Sequence, residues 1–147
     1  MKKQTIKRFL CAILICTSVI SSFAIISYAG DVVPYYNNVH RAQSDVSVSS
    51  TGVMTVFNSF SGDASVFSKA VITTYIEKRV LGIFWSKVDI GQTNDEWVDT
   101  IYTNVYSGTH NFQLESKGTY KVTVEYVVYG SGGSADTITK EIEKSYS

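Results

Sequence analysis

Apolar and polar residues alternate with a period of two through most of this chain. The cleanest run lies within Leu114–Tyr129. After a turn at Ser116-Lys117-Gly118, the residues Tyr120, Val122, Val124, Tyr126 and Val128 share one face. Thr119, Lys121, Thr123, Glu125 and Val127 share the other. An apolar face at this period predicts a half-buried strand, here the central strand of an antiparallel sandwich.

The same pattern recurs upstream. Val46 and Val48 oppose Asp45, Ser47 and Ser49, so Ser44 to Ser50 is a strand, followed by a turn at Ser50-Thr51-Gly52. Val53 to Phe60 is the next strand, ended by the break Ser61 to Ala64. Val66 to Val80 carries the β-branched and aromatic run Val71 to Ile76, which favours strand over helix. Leu81-Gly82 is a tight connection into a strand from Ile83 to Ile90. Gly91 to Glu96 is turn-like. Trp97 to Glu115 is long and less regular; Phe112 and Leu114 mark its second half as strand, with a bend or bulge at Ser107-Gly108. Gly130 to Ser134 reads as a flexible loop. Ile138 to Tyr146 closes the sheet, with Lys140 and Lys144 guarding a terminal edge. No apolar stripe has helical spacing. About seven short strands with Gly/Ser turns predict one all-β domain, an immunoglobulin-like antiparallel sandwich over 44–147. Before it, residues 30–43 hold the only proline, Pro34, and read as an extended arm with an edge strand at Tyr35–Tyr36.

The N-terminus belongs to a different class. Lys2, Lys3, Lys7 and Arg8 precede an apolar run from Phe9 to Ile26, and Ser27-Tyr28-Ala29 places small residues ahead of Gly30. Residues 1–29 are expected to be a signal peptide cut after Ala29. An uncleaved anchor is the alternative, because the run is long enough to span a bilayer. With the leader go Cys11 and Cys16, which excludes disulfides, thiolate metal sites and cysteine nucleophiles from the mature chain. Nine basic and thirteen acidic residues remain, a net charge of −4. Such a domain is not built to coat nucleic acid or an anionic membrane. A secreted or extracellular location, no span after cleavage and a monomeric state are expected.

Few residues suggest catalysis. Only His40 and His110 could act as neutral-pH bases, and no Gly-x-Ser-x-Gly elbow accompanies them. Asp95, Glu96 and Asp99 lie close in sequence and read as a solvated turn. A weak calcium loop assisted by Asp89 or Asn94 is the sharper alternative, without the ligand spacing of an EF-hand. The glycine-rich loop precedes no helix, so it is no phosphate cradle. No cofactor and no enzymatic activity are expected.

Aromatic residues are more suggestive. Phe84, Trp85, Trp97, Tyr102 and Tyr106 exceed what so small a core readily takes, and an exposed row of them would suit a carbohydrate or a surface protein. Rim packing of Trp and Tyr is the plainer explanation.

The segment Leu114-x-x-x-Gly118-x-Tyr120-x-Val122 resembles fibronectin type III and related immunoglobulin-like domains. The resemblance implies a tyrosine corner, with the Tyr120 ring in the core and its hydroxyl bonded to backbone upstream. Leu114 and Gly118 would be the structural residues beside it. The paired cysteines of antibody domains are absent. Over most of the mature length, the chain resembles a family of short exported proteins from clostridia and their relatives. Pro34, Tyr35 and Asn37, Ser44 to Ser50, Ile76 to Arg79, Trp85-Ser86 with Val88, and Lys117 to Tyr120 carry that likeness. It implies a fold and a compartment, and no reaction. The expected function is therefore a secreted, non-catalytic binding or recognition module. A small toxin or bacteriocin-like protein, acting on membranes or by self-assembly, is the alternative.

Overall fold

The computed structural model describes residues 36–147; the segment expected as a signal peptide, residues 1–29, and residues 30–35 of the expected arm lie outside the described residues. Eight strands follow one another: β1 (Val39–Val48), β2 (Val53–Gly62), β3 (Phe67–Val80), β4 (Phe84–Lys87), β5 (Trp97–Ile101), β6 (Val105–Gln113), β7 (Gly118–Gly130) and β8 (Asp136–Tyr146). A single 3-10 turn covers Thr93–Asp95, and no α-helix occurs among the described residues. The strands form an antiparallel sandwich. One sheet has the order β1-β2-β6. The other has the order β4-β3-β7-β8, with β5 also paired to β3.

The alternation of β7 sets the core. Its inward residues Tyr120, Val122, Val124, Tyr126 and Val128 are all buried. They pack with Ala70, Ile72 and Ile76 of β3 and, from the opposing sheet, with Val46, Met54, Val56 and Phe60. Polar contacts also tie the sheets together. The Tyr126 hydroxyl donates to the Gln43 carbonyl at 2.7 Å, and Asn58 Nδ2 donates to Thr74 Oγ1 at 3.0 Å. Burial pushes the Tyr126 phenol above its ordinary pKa.

The structure differs from the sequence expectations at four places. The first strand begins at Val39, inside the segment expected as an arm, because Val39 and Arg41 to Gln43 pair with β2, with the register shifting at His40 between them. The stretch Trp97–Glu115 holds two strands, not one. They are separated at residues 102–104, where no glycine or proline marks the break. The strand expected over Ile83–Ile90 is only Phe84–Lys87. It pairs with β3 at Glu77–Val80, while β5 takes the same edge at Ala70–Thr74, so the two strands divide one edge between them. Gly108 sits in regular register within β6, without a bulge. Its lack of a side chain makes room for Tyr106: a Cβ there would lie 2.5 Å from the ring carbon Cζ.

The glycine-rich loop also has a packing role. A Cβ on Gly130 would meet Asn38 Oδ1 at 2.4 Å, and one on Gly132 would meet the Asn37 carbonyl at 2.4 Å. The loop is glycine because Asn37 and Asn38 lie against it. Asn38 Nδ2 donates to the Ser134 carbonyl at 2.9 Å. The backbone N–H groups of Asn37 and Asn38 donate to the two carboxylate oxygens of Asp136, at 3.0 and 2.6 Å.

Candidate functional site

The aromatic residues of Phe84–Tyr106 do not form a row. The fold separates them into four places. Trp85 faces outward from the second sheet, beside Arg79, its cross-strand partner. The Arg79 guanidinium lies 4.6 Å from its ring centroid and the Lys121 ammonium 4.9 Å. The other two rings of that outer face are held alike, Tyr75 by Lys87 at 4.9 Å and Tyr129 by Lys69 at 4.8 Å. A sugar ring stacking there would first displace a cation worth about 0.5–1 kcal/mol. Glu77 completes this surface through a 2.7 Å pair with Lys121, whose pKa is raised chiefly by that hydrogen bond.

Trp97 and Tyr106 point the other way, into the gap between the sheets at their β5 and β6 edges. The Trp97 ring stacks on His110 with centroids 4.8 Å apart and planes at 3°, and meets Phe112 edge-on. His110 Nε2 lies 2.7 Å from Asp99 Oδ2. Burial, then the neighbouring Asp99 carboxylate, pushes the Tyr106 phenol up to about 12. Sequence reading places Asp99 in a solvated turn and gives His110 no partner, and so misses this pair. Period-two spacing within Trp97–Asp99–Ile101 and Tyr106–Gly108–His110–Phe112 is the signal that places them on facing strands. Asp99 is thereby drawn away from its sequence neighbours. Glu96 pairs with Lys87 at 2.7 Å, and Asp89 accepts from the Gly91 N–H at 2.8 Å. Asp95, Glu96 and Asp99 do not converge, and no cluster of three metal-ligating side chains occurs among the described residues.

Phe84 belongs to a third region, the end of the sandwich where β3 turns into β4. Leu81 and Gly82 both have positive φ, 52° and 71°, and the Ile83 N–H donates to the Val80 carbonyl at 3.2 Å. Primed hairpin turns use two successive positive φ values and favour Asn-Gly or Asp-Gly. Here the first position is leucine, which is disfavoured in that conformation. The turn is also apolar and open to solvent: Val80 is 42% exposed, Leu81 84%, Ile83 74% and Phe84 63%.

Beneath the hairpin lies a cleft of about 320 Å³ lined by Lys78, Lys87, Asp89, Glu115, Ser116 and Tyr120, among others. Lys78 Nζ donates to Ser116 Oγ at 2.6 Å and lies 5.7 Å from the Tyr120 ring centroid. The Tyr120 hydroxyl donates to the Ser116 carbonyl at 2.5 Å, which closes the tyrosine corner. Leu114 is buried, and its N–H donates to the Gly52 carbonyl at 2.9 Å. Gly118 takes a φ of 152° with the Lys78 side chain against it. The cleft joins cations, carboxylates and hydroxyls, and neither histidine lines it. Such a surface can hold a partner.

Tyr102 lies at the opposite end, 74% exposed in the β5–β6 connection, so it cannot share a ligand surface with Phe84. The apolar turn residues Leu81 and Ile83 escaped the sequence reading, which followed aromatics. Their signal was an apolar run, Val80 to Phe84, laid across a tight turn. No protein-family model matches this sequence, and no curated protein is significantly similar to it.

Proposed function

We propose that the chain is an exported, non-catalytic β-sandwich that acts by binding, through the end carrying the Val80–Phe84 hairpin. One observation carries this reading: four apolar side chains are held in solvent on a turn whose backbone favours polar residues. The cleft below adds polar groups that could orient a partner. The leader-like residues 1–29 and the likeness to exported clostridial proteins support the compartment.

Binding of the fluorescently labelled exported chain to intact bacterial and animal cells tests the reading. Wild type should decorate a cell surface. The variant Leu81→Asp/Ile83→Asp should fold, since both side chains are solvent-exposed, and should lose binding by about tenfold or more, as expected when anchor residues of an interface are removed. Equal binding by the two chains would remove the hairpin from the function.

A further inference from the structure

We propose that the Val80–Phe84 hairpin anchors the protein in the surface of an anionic bilayer. The inference rests on the reading that this end is the working surface, and it names the occupant. Leu81, Ile83 and Phe84 would enter the acyl boundary. Lys78, Arg79 and Lys87 would meet lipid phosphates.

Shape comes first. A partner protein would need a groove to cover the apolar turn, because the turn is convex. Nothing lies within 4 Å of the position a Cβ on Gly82 would take, so the tip stands clear of the domain. A bilayer surface accepts a convex apolar tip without a preformed groove. Val80 and Phe84 pair at the base of the turn. Leu81, Gly82 and Ile83 lie beyond that pair, so the tip is a short turn whose apolar side chains can enter the boundary between headgroups and acyl chains.

Charge comes second. The sequence from Lys78 to Lys87 contains three cations and no acid, although the chain after residue 29 carries a net charge of −4. The two hairpin strands themselves therefore carry only cations, while the acids around them, Glu143, Glu96, Asp89 and Glu115, sit on neighbouring segments. Arg79 and Lys87 have acidic partners, Glu143 at 3.0 Å and Glu96 at 2.7 Å. Both pairs are surface pairs, with the two cations 36% and 37% exposed, and such pairs exchange readily for phosphate. Trp85 sits among Arg79 and Lys121 just behind the tip, the level at which tryptophan and basic residues settle at a membrane interface.

The test uses the exported chain with vesicles of phosphatidylcholine, alone or mixed with phosphatidylglycerol. Co-sedimentation should be strong on the mixed vesicles and weak on phosphatidylcholine. In a Trp97→Phe background, Trp85 is the sole tryptophan of the domain, and its emission should shift to the blue on binding. Leu81→Asp/Ile83→Asp should abolish both signals. Lys78→Gln and Lys87→Gln should each weaken binding to mixed vesicles by about fivefold, the effect of one basic residue near an anionic surface. Failure of wild type to sediment with mixed vesicles would overturn the proposal, as would equal binding by the double aspartate variant. If that variant loses cell binding while wild type ignores vesicles, the hairpin stands as the working surface and its occupant is not lipid. A cell-binding signal erased by prior protease treatment of the cells would assign the occupant as a protein.

Discussion

The two ends of the sandwich are built on opposite terms. At the end where β1 begins, polar groups are buried and matched. Asn38 is fully buried, with its side chain donating to the Ser134 carbonyl and accepting from the Gly132 N–H. Asp136 is buried and accepts both preceding N–H groups of the arriving chain. The Asp63 N–H donates to the Asn38 carbonyl at 2.9 Å. Tyr102 and Val105 are exposed there, on either side of the polar Thr103-Asn104 bend. At the other end, contiguous apolar side chains stand in water on a turn that disfavours its own first residue. Matched buried polar groups are what stability requires. Exposed apolar groups in a disfavoured backbone conformation work against stability, and such features collect at functional sites.

The largest expected effect tests whether the open end is loosely built or only openly crowned. Tyr120→Ala removes the ring and the corner beneath the hairpin, and should cost about 3–5 kcal/mol in denaturant unfolding. A loss below about 1 kcal/mol, the range of surface changes, would mean that the end as a whole is loose. Next comes the closed end. Asp136→Ala leaves the Asn37 and Asn38 N–H groups without acceptors and should cost about 2–3 kcal/mol. Asp136→Asn keeps one acceptor oxygen and should cost less; equal losses would point to charge in place of hydrogen bonding.

Leu81→Asn inverts the sign. It suits a positive φ and removes an exposed leucine, so it should raise stability by about 1 kcal/mol while weakening surface binding. A fall in stability would show that Leu81 packs on its own domain. The smallest effect concerns the β5–β6 edge. Tyr106 holds its proton to about 12 in the folded chain, above the ordinary value of about 10. The folded state then binds more protons than the unfolded state between these values. Stability from this group is intact below about pH 10 and is lost as pH rises towards 12. Tyr106→Phe should flatten that alkaline loss and change stability little at neutral pH. An unchanged alkaline slope would place the titration on other tyrosines, Tyr126 first among them.

Much of the fold is legible in local pattern. The alternation of Tyr120 to Val128 predicts both the strand and its buried face. The pair Leu81-Gly82 marks the β3–β4 turn. The division of Trp97–Glu115 is not legible, because Tyr102-Thr103-Asn104 contains no residue that forbids a strand. The length of β4 is not legible either, because it depends on β5 claiming the rest of the β3 edge.

The candidate site divides similarly. Phe84 and Trp85 are adjacent in the chain, yet one crowns the hairpin and the other lies under Arg79 on the sheet face. Sequence by itself determined which residues of each strand share a face, since a period of two is a property of the local backbone. It also determined that a turn would carry an apolar run. Only the tertiary structure decided which faces met: His110 with Asp99, and Asn38 with Asp136, ninety-eight residues apart. It decided as well that Val80, Leu81, Ile83 and Phe84 would stand exposed among the described residues. Those outcomes depend on strand order and register, which distant segments set together, and no local pattern encodes them.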